Sequence, residues 1–124
     1  MLYFFQFLNN FSNENRFVCG FKDGKVAVWA DSMLKSKKLF NNSGQWKNAT
    51  LVAYANNKIF AVGQNEARLH ILDLALNTLC VADHQFEKGI RVMKSSESFV
   101  AIGEWYGNVT VFDTNGRRVL VSYF

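Results

Sequence analysis

Proline is absent from the 124 residues, and cysteine (Cys19, Cys80) and histidine (His70, His84) occur only twice each. Two isolated thiols cannot make a disulfide framework, which points to a reducing, intracellular setting and buried, inert cysteines. Two histidines without a third ligand at useful spacing predict no metal and no cofactor. There is no Gly-x-Ser-x-Gly elbow, no phosphate-cradling glycine loop and no paired acids, so the chain is expected not to be an enzyme. Asp83-His84 beside a serine is not a triad, because sequence adjacency does not produce that geometry. Aromatic and basic residues are not interleaved along one strand as an RNA-binding sheet requires, so no nucleic-acid partner is expected. No run approaches the roughly 18 unbroken apolar residues of a membrane span. The opening Met1-Leu-Tyr-Phe-Phe-Gln-Phe-Leu8 has no preceding basic residue and no small-residue cleavage site, so it is not read as a signal peptide. The expectation is a soluble, cytoplasmic chain.

What is present supports a packed core. Hydrophobic residues make up 49%, aromatics 15% and charged residues 19%, which excludes a disordered tail. The formal charge of +4 favours anionic partners without demanding nucleic acid.

The chain repeats itself. Phe17-Val-Cys-Gly20, Phe60-Ala-Val-Gly63 and Val100-Ala-Ile-Gly103 align on glycines 43 and then 40 residues apart. Six places after each glycine stand Val26, Leu69 and Val109, and eight places after stand Val28, Ile71 and Val111. At nine places comes a large apolar residue (Trp29, Leu72, Phe112), followed by Asp73 and Asp113 at ten, or Asp31 one place later in the first repeat. Two-residue alternation is a strand signal, since alternate side chains share a face. Upstream, Phe7–Phe11, Thr50–Tyr54 and Ile90–Lys94 read as a first strand in each unit. Polar turns follow them, among them Ala55-Asn-Asn-Lys58. Downstream, Leu39-Phe40, Leu79–Ala82 and Val119–Phe124 read as a fourth. No segment has a helical period. The prediction is all-β, with three four-stranded antiparallel blades over about residues 3–45, 46–84 and 85–124.

The run Phe17 to Asp31 resembles the WD40-repeat family: Gly20, Asp23, Gly24, Val26, Val28 and Trp29 sit where that family places them. Leu72-Asp73 and Phe112-Asp113 replace its Trp-Asp pair, and His84, in the link Asp83–Gly89, is the only candidate for its Gly-His histidine. The resemblance implies an incomplete WD40-type β-propeller. It also implies structural roles for Gly20, Asp23, Trp29, Gly63, Asp73, Gly103 and Asp113, the turn aspartate accepting hydrogen bonds and the tryptophan packing within the blade. The run Gly20-Phe-Lys-Asp-Gly-Lys-Val-Ala-Val-Trp-Ala-Asp-Ser-Met-Leu-Lys-Ser-Lys-Lys-Leu-Phe40 is similar to repeats of the echinoderm microtubule-associated protein-like (EMAP-like) group, which implies tubulin or microtubules as partner and a cytoskeletal association.

Propellers close with about four to eight blades, so three leave an open sector. The expectation is a fragment of a longer propeller, with self-association or docking onto further blades as alternatives. A non-catalytic protein-interaction scaffold follows, with Phe21, Lys22, Trp105 and Tyr106 as partner-binding candidates in equivalent hairpin turns, beside Gln64-Asn65-Glu66. Large aromatics in a turn that normally faces solvent suit an anchor; packing against a neighbouring loop is the plain alternative. Lys35, Lys37 and Lys38, and Arg117-Arg118, would meet an acidic partner or simply keep an edge strand solvated. A ligand-binding or enzymatic propeller fragment is the alternative of another class, and a non-functional fragment a third. The expected channel strands argue against chemistry, since they carry no clustered acid or histidine.

Overall fold

The computed structural model describes the backbone of residues 2–11, 14–21, 25–30, 33–39, 50–63, 68–86, 90–105 and 107–122. These residues contain twelve strands and no helix. Sheet one is formed by β1 (Leu2–Phe11), β2 (Glu14–Phe21), β3 (Lys25–Ala30) and β4 (Met33–Leu39). Sheet two is formed by β5 (Thr50–Ala55), β6 (Lys58–Gly63), β7 (Arg68–Leu72) and β8 (Thr78–Gln85). Sheet three is formed by β9 (Ile90–Ser95), β10 (Phe99–Glu104), β11 (Val109–Asp113) and β12 (Arg118–Ser122). Each is an antiparallel meander in sequence order, the pairing that tight hairpins permit. In sheet one the described side chains belong to its central strands, residues 17–21 and 25–29. The chain is therefore all-β and blade-like.

Local sequence closes the hairpins. Asn56 and Asn57 link β5 to β6 with φ of 51° and 60°. Two consecutive left-handed residues make the two-residue turn that matches strand twist, and asparagine tolerates that conformation best after glycine. In sheets two and three the third-to-fourth strand turns are built on aspartate. The Asp73 carboxylate accepts from the backbone N–H of Ala75 and of Asn77, each at 2.9 Å. The Asp113 carboxylate accepts from Asn115 N–H at 2.9 Å and Arg117 N–H at 3.0 Å, the same two positions one repeat later.

The sheets stack through both faces of sheet two. One core joins Val18, Val26 and Val28 of sheet one to Val52, Ile59, Ala61 and Leu72 of sheet two. The other joins Leu51, Ala53, Phe60, Val62, Leu69 and Ile71 to Met93, Val100, Ile102 and Phe112 of sheet three. Each fully buried side chain of this size is worth about 2 kcal/mol of transfer free energy. The front of each sheet is the side holding the residues six and eight places after its repeat glycine. The front of sheet one meets the back of sheet two, and the front of sheet two meets the back of sheet three. Ser95 Oγ donates to the Tyr54 carbonyl at 2.6 Å across the second interface. Lys58 Nζ donates there to the Thr114 carbonyl at 3.0 Å and to Asn115 Oδ1 at 2.7 Å.

The repeat glycines do not mark one register throughout. Val18 pairs with Val28 in sheet one, and Ala101 with Val111 in sheet three. In sheet two Phe60, one place earlier, pairs with Ile71. The hairpin after Gly63 is one residue shorter in effect, which turns Phe60 and Val62 to the front. Asp83 and His84 also differ from expectation. They lie within β8, which pairs with β7 as far as Arg68 and Gln85, not in a turn or a link.

Candidate functional site

Trp105 follows β10 at the tip of the β10–β11 hairpin, where the Glu104 N–H donates to the Asn108 carbonyl at 2.8 Å. The residue is 49% exposed, although Arg91 on β9 sets its guanidinium carbon 5.0 Å from the ring centroid. A cation over an indole face restrains the ring while leaving the other face open. Phe21 ends β2 at the matching hairpin of sheet one and is half-buried. Sheet two separates it from Trp105. Lys22, Asp23, Gly24, Asp31, Gln64-Asn65-Glu66 and Tyr106 lie outside the described residues.

Gly20 sits inside β2 opposite Val26, Gly63 ends β6, and Gly103 pairs with Val92 and Val109. A Cβ at Gly103 would stand 3.0 Å from Val92 Cγ1, because the valine leans over the glycine. Trp29 stacks on Phe17 with ring centroids 6.3 Å apart and planes 7° from parallel. Lys35, Lys37 and Lys38 lie on β4. Cys19 is 4% exposed, and burial pushes its thiol above the ordinary range. Cys80 is half-buried and points its sulfur at the Asn115 carbonyl, 3.5 Å away.

A second candidate lies at the other end of sheet three. An open cleft of about 550 Å³ runs between the outer strands β8 and β12, lined by Asp83, His84, Phe112, Gly116, Arg117 and Arg118. Arg118 Nη1 is 2.8 Å from His84 Nδ1. A guanidinium only donates, so Nδ1 accepts and the imidazole proton sits on Nε2. His84 and Phe112, whose ring centroids are 6.1 Å apart, give the cleft an aromatic floor, and the buried Phe86 packs edge-on against the His84 ring at 4.8 Å behind it. Two exposed arginines beside this floor suit a carboxylate, which a guanidinium fork recognises through paired N–H donors. Sequence reasoning singled out the two arginines but not the meeting of Arg118 with His84, since the bond spans residues in different repeats. It also missed Arg91. Arg91 lies at the register shift of the antiparallel β9–β10 pair, between Val92 opposite Gly103 and Ile90 opposite Glu104, an irregularity that spacing in the sequence does not show. Among the described residues, no group of three His, Cys, Asp or Glu side chains could hold a metal ion.

No family model matches the chain, and no curated protein sequence does. Solved structures do match. The computationally designed Ika4 protein superposes over 98% of this chain and 72% of its own, with a TM-score of 0.76 at 15% identity. The designed Ika8 protein covers 94% of this chain and 35% of its own, with a TM-score of 0.71 at 16% identity. Raptor from Chaetomium thermophilum covers 99% of this chain and 12% of its own, with a TM-score of 0.79 at 14% identity. The chain thus spans about a third of one of these structures and an eighth of another. Likeness at such identities speaks for the fold alone, which is β-propeller-like.

Proposed function

We propose that this chain is a non-catalytic protein-interaction scaffold made of three blades of an incomplete WD40-type propeller. The observation that carries the reading is Trp105: a large, half-exposed aromatic held by Arg91 at a hairpin tip on a stacked-sheet scaffold. Rigid frameworks that present loops are where binding function concentrates, and tryptophan is the residue type most enriched in energetic hot spots. Phe21 stands at the corresponding hairpin of sheet one, so the second-to-third strand turns form the rim that meets the partner. The non-catalytic reading rests on the sequence, which holds none of the usual nucleophile or phosphate-binding patterns.

On the EMAP-like resemblance of the sequence, the partner in this proposal is tubulin, met in the cytoplasm on the cytoskeleton. Acidic tubulin tails would suit the net charge of +4 and the lysines of β4. Co-sedimentation with polymerised microtubules tests this. The expected result is pelleting that weakens at high salt and falls about tenfold or more for Trp105→Ala, the loss of a hot spot. Absence of pelleting at low salt removes tubulin. Equal pelleting of the folded Trp105→Ala variant removes the rim. A ligand-binding role is favoured by one specific observation, the His84–Arg118 cleft, and its occupant would be a small carboxylate.

A further inference from the structure

Sheets two and three build the turn after their third strand alike, and the difference between the two turns points to a ligand. Asp73 and Asp113 each hold the N–H groups two and four residues on. The likeness continues into the outer strand, where Thr78 pairs with Leu72 and Arg118 with Phe112. Asn77 and Thr78 of sheet two thus correspond to Arg117 and Arg118 of sheet three. Sheet two makes the same turn and the same strand pair with neutral side chains, so the blade itself does not call for two arginines. Both are exposed, and among the described residues no carboxylate pairs with either guanidinium.

Both arginines line the cleft between β8 and β12, and its walls are fixed. The Arg117 backbone is clamped twice by Asp113: its N–H donates to the carboxylate at 3.0 Å, and its carbonyl accepts from the Asp113 N–H at 2.8 Å. Lys58 of sheet two ties the same turn down through Thr114 and Asn115. From the opposite wall His84 Nδ1 accepts from Arg118 Nη1, which orders a long side chain before any ligand has to. One guanidinium N–H goes to this bond, and a carboxylate fork takes two more of the side chain's donors. A bare carboxylate fills little of about 550 Å³, so the ligand carries a body. Phe112 is fully buried, which leaves the His84 ring above it as the flat surface that this body meets. Asp83 sets the charge: its carboxylate lines the same cleft and, against two guanidiniums and a neutral imidazole, leaves one net positive charge. One carboxylate matches that charge, whereas a dianion puts its second charge beside Asp83. We propose that this cleft binds a single carboxylate carried on a planar aromatic body, with the two arginines as its fork, the His84 ring as its platform and Asp83 turning away more highly charged anions.

The inference rests on the ligand-binding reading of this cleft and narrows it; it does not depend on a partner at the rim. A free aromatic acid and the C-terminal aromatic residue of a peptide share the chemistry, and two probes separate them: phenylacetate, and a five-residue peptide ending in phenylalanine. Titrated into the nitrogen-15-labelled full chain, at least one of them should saturate the amide shifts of Gly116, Arg117 and Arg118 at about millimolar concentration or below. The same peptide with an amidated end should bind about tenfold more weakly, as should either acid to Arg118→Gln, through loss of charge-assisted bonds. Inorganic phosphate should bind wild type about tenfold more weakly than the better acid, and Asp83→Asn should narrow that gap about threefold. Arg118 and Asp83 are exposed on outer strands, and circular dichroism checks that both variants fold; if Arg118→Gln does not, Arg117→Gln takes its place. Phosphate binding wild type as tightly as the acids would overturn the proposal while leaving the cleft a ligand site. Equal binding of the amidated peptide, or no loss in the folded arginine variant, would also overturn it. No saturable shift with any probe would remove the ligand-binding reading as well.

Discussion

Leu76 and Gly116 occupy the same point of successive repeats, each three residues after the turn aspartate, with φ of 67° and 86°. Leu76 N–H donates to the Asp73 carbonyl and Gly116 N–H to the Asp113 carbonyl, at 3.0 and 3.1 Å. A leucine holds the left-handed conformation at a cost of about 1–2 kcal/mol. It does so because its side chain is 3% exposed in the core between sheets one and two. Gly116 has no such option. A Cβ there would stand 2.6 Å from Ile71 Cδ1.

Gly116→Ala should therefore lower stability by about 1–3 kcal/mol, through backbone strain and contact with Ile71. Leu76→Gly should also destabilise, since losing the buried side chain outweighs the backbone relief, with a net loss of about 1–2 kcal/mol. Urea unfolding of both variants checks the pair. A neutral Gly116→Ala would show that the turn moves away from sheet two at no cost.

Asp73→Ala and Asp113→Ala should each cost about 1 kcal/mol, because two backbone N–H groups lose their charged acceptor at a partly solvated site. Asp113→Asn should recover most of the loss, since its amide oxygen reaches the same donors. Thermal melts of the three variants separate a hydrogen-bonding role from one of charge.

Thr110 carries a buried hydroxyl without a hydrogen-bond partner on the side of sheet three that faces sheet two. Thr110→Val keeps the shape and removes the desolvated oxygen, so it should stabilise by about 1 kcal/mol. The measurement is the urea midpoint at constant slope.

Burial keeps the Cys19 thiol protonated above its ordinary value of 9.0. The unfolded chain releases that proton near its ordinary pKa while the folded chain retains it. Stability from this group is thus complete below pH 9.0 and declines above it until the folded thiol also ionises. Cys19→Ala should flatten the alkaline part of the stability profile relative to wild type. In native protein a thiol reagent should modify Cys80 first and Cys19 only on unfolding, because the thiolate is the nucleophile.

The aligned residues at six, eight and nine places after each glycine carried the fold. Alternation fixes which side chains share a face, and those faces stack between sheets one and two and between sheets two and three. The aspartates carried the turns, since a short carboxylate can reach N–H groups two and four residues on. What escaped the sequence was pairing across repeats. Spacing from Gly63 gives no sign that Phe60 takes the place held by Val18 in sheet one, because register is settled by the whole sheet once the hairpin shortens. The Arg118–His84 contact and the Lys58–Asn115 clasp were illegible for a related reason: each joins residues over 30 positions apart, brought together only by stacking. Trp105 could be seen as an aromatic in a turn, but Arg91 above it could not.

Among the described residues, sheet two contributes both of its faces to cores. Its central amides are shielded on either side by a neighbouring sheet, whereas sheet three has an exposed side from which loosening can begin. Deuterium should accordingly enter β6 and β7 last, and a force applied at the two ends would strip the outer layers before the middle one yields.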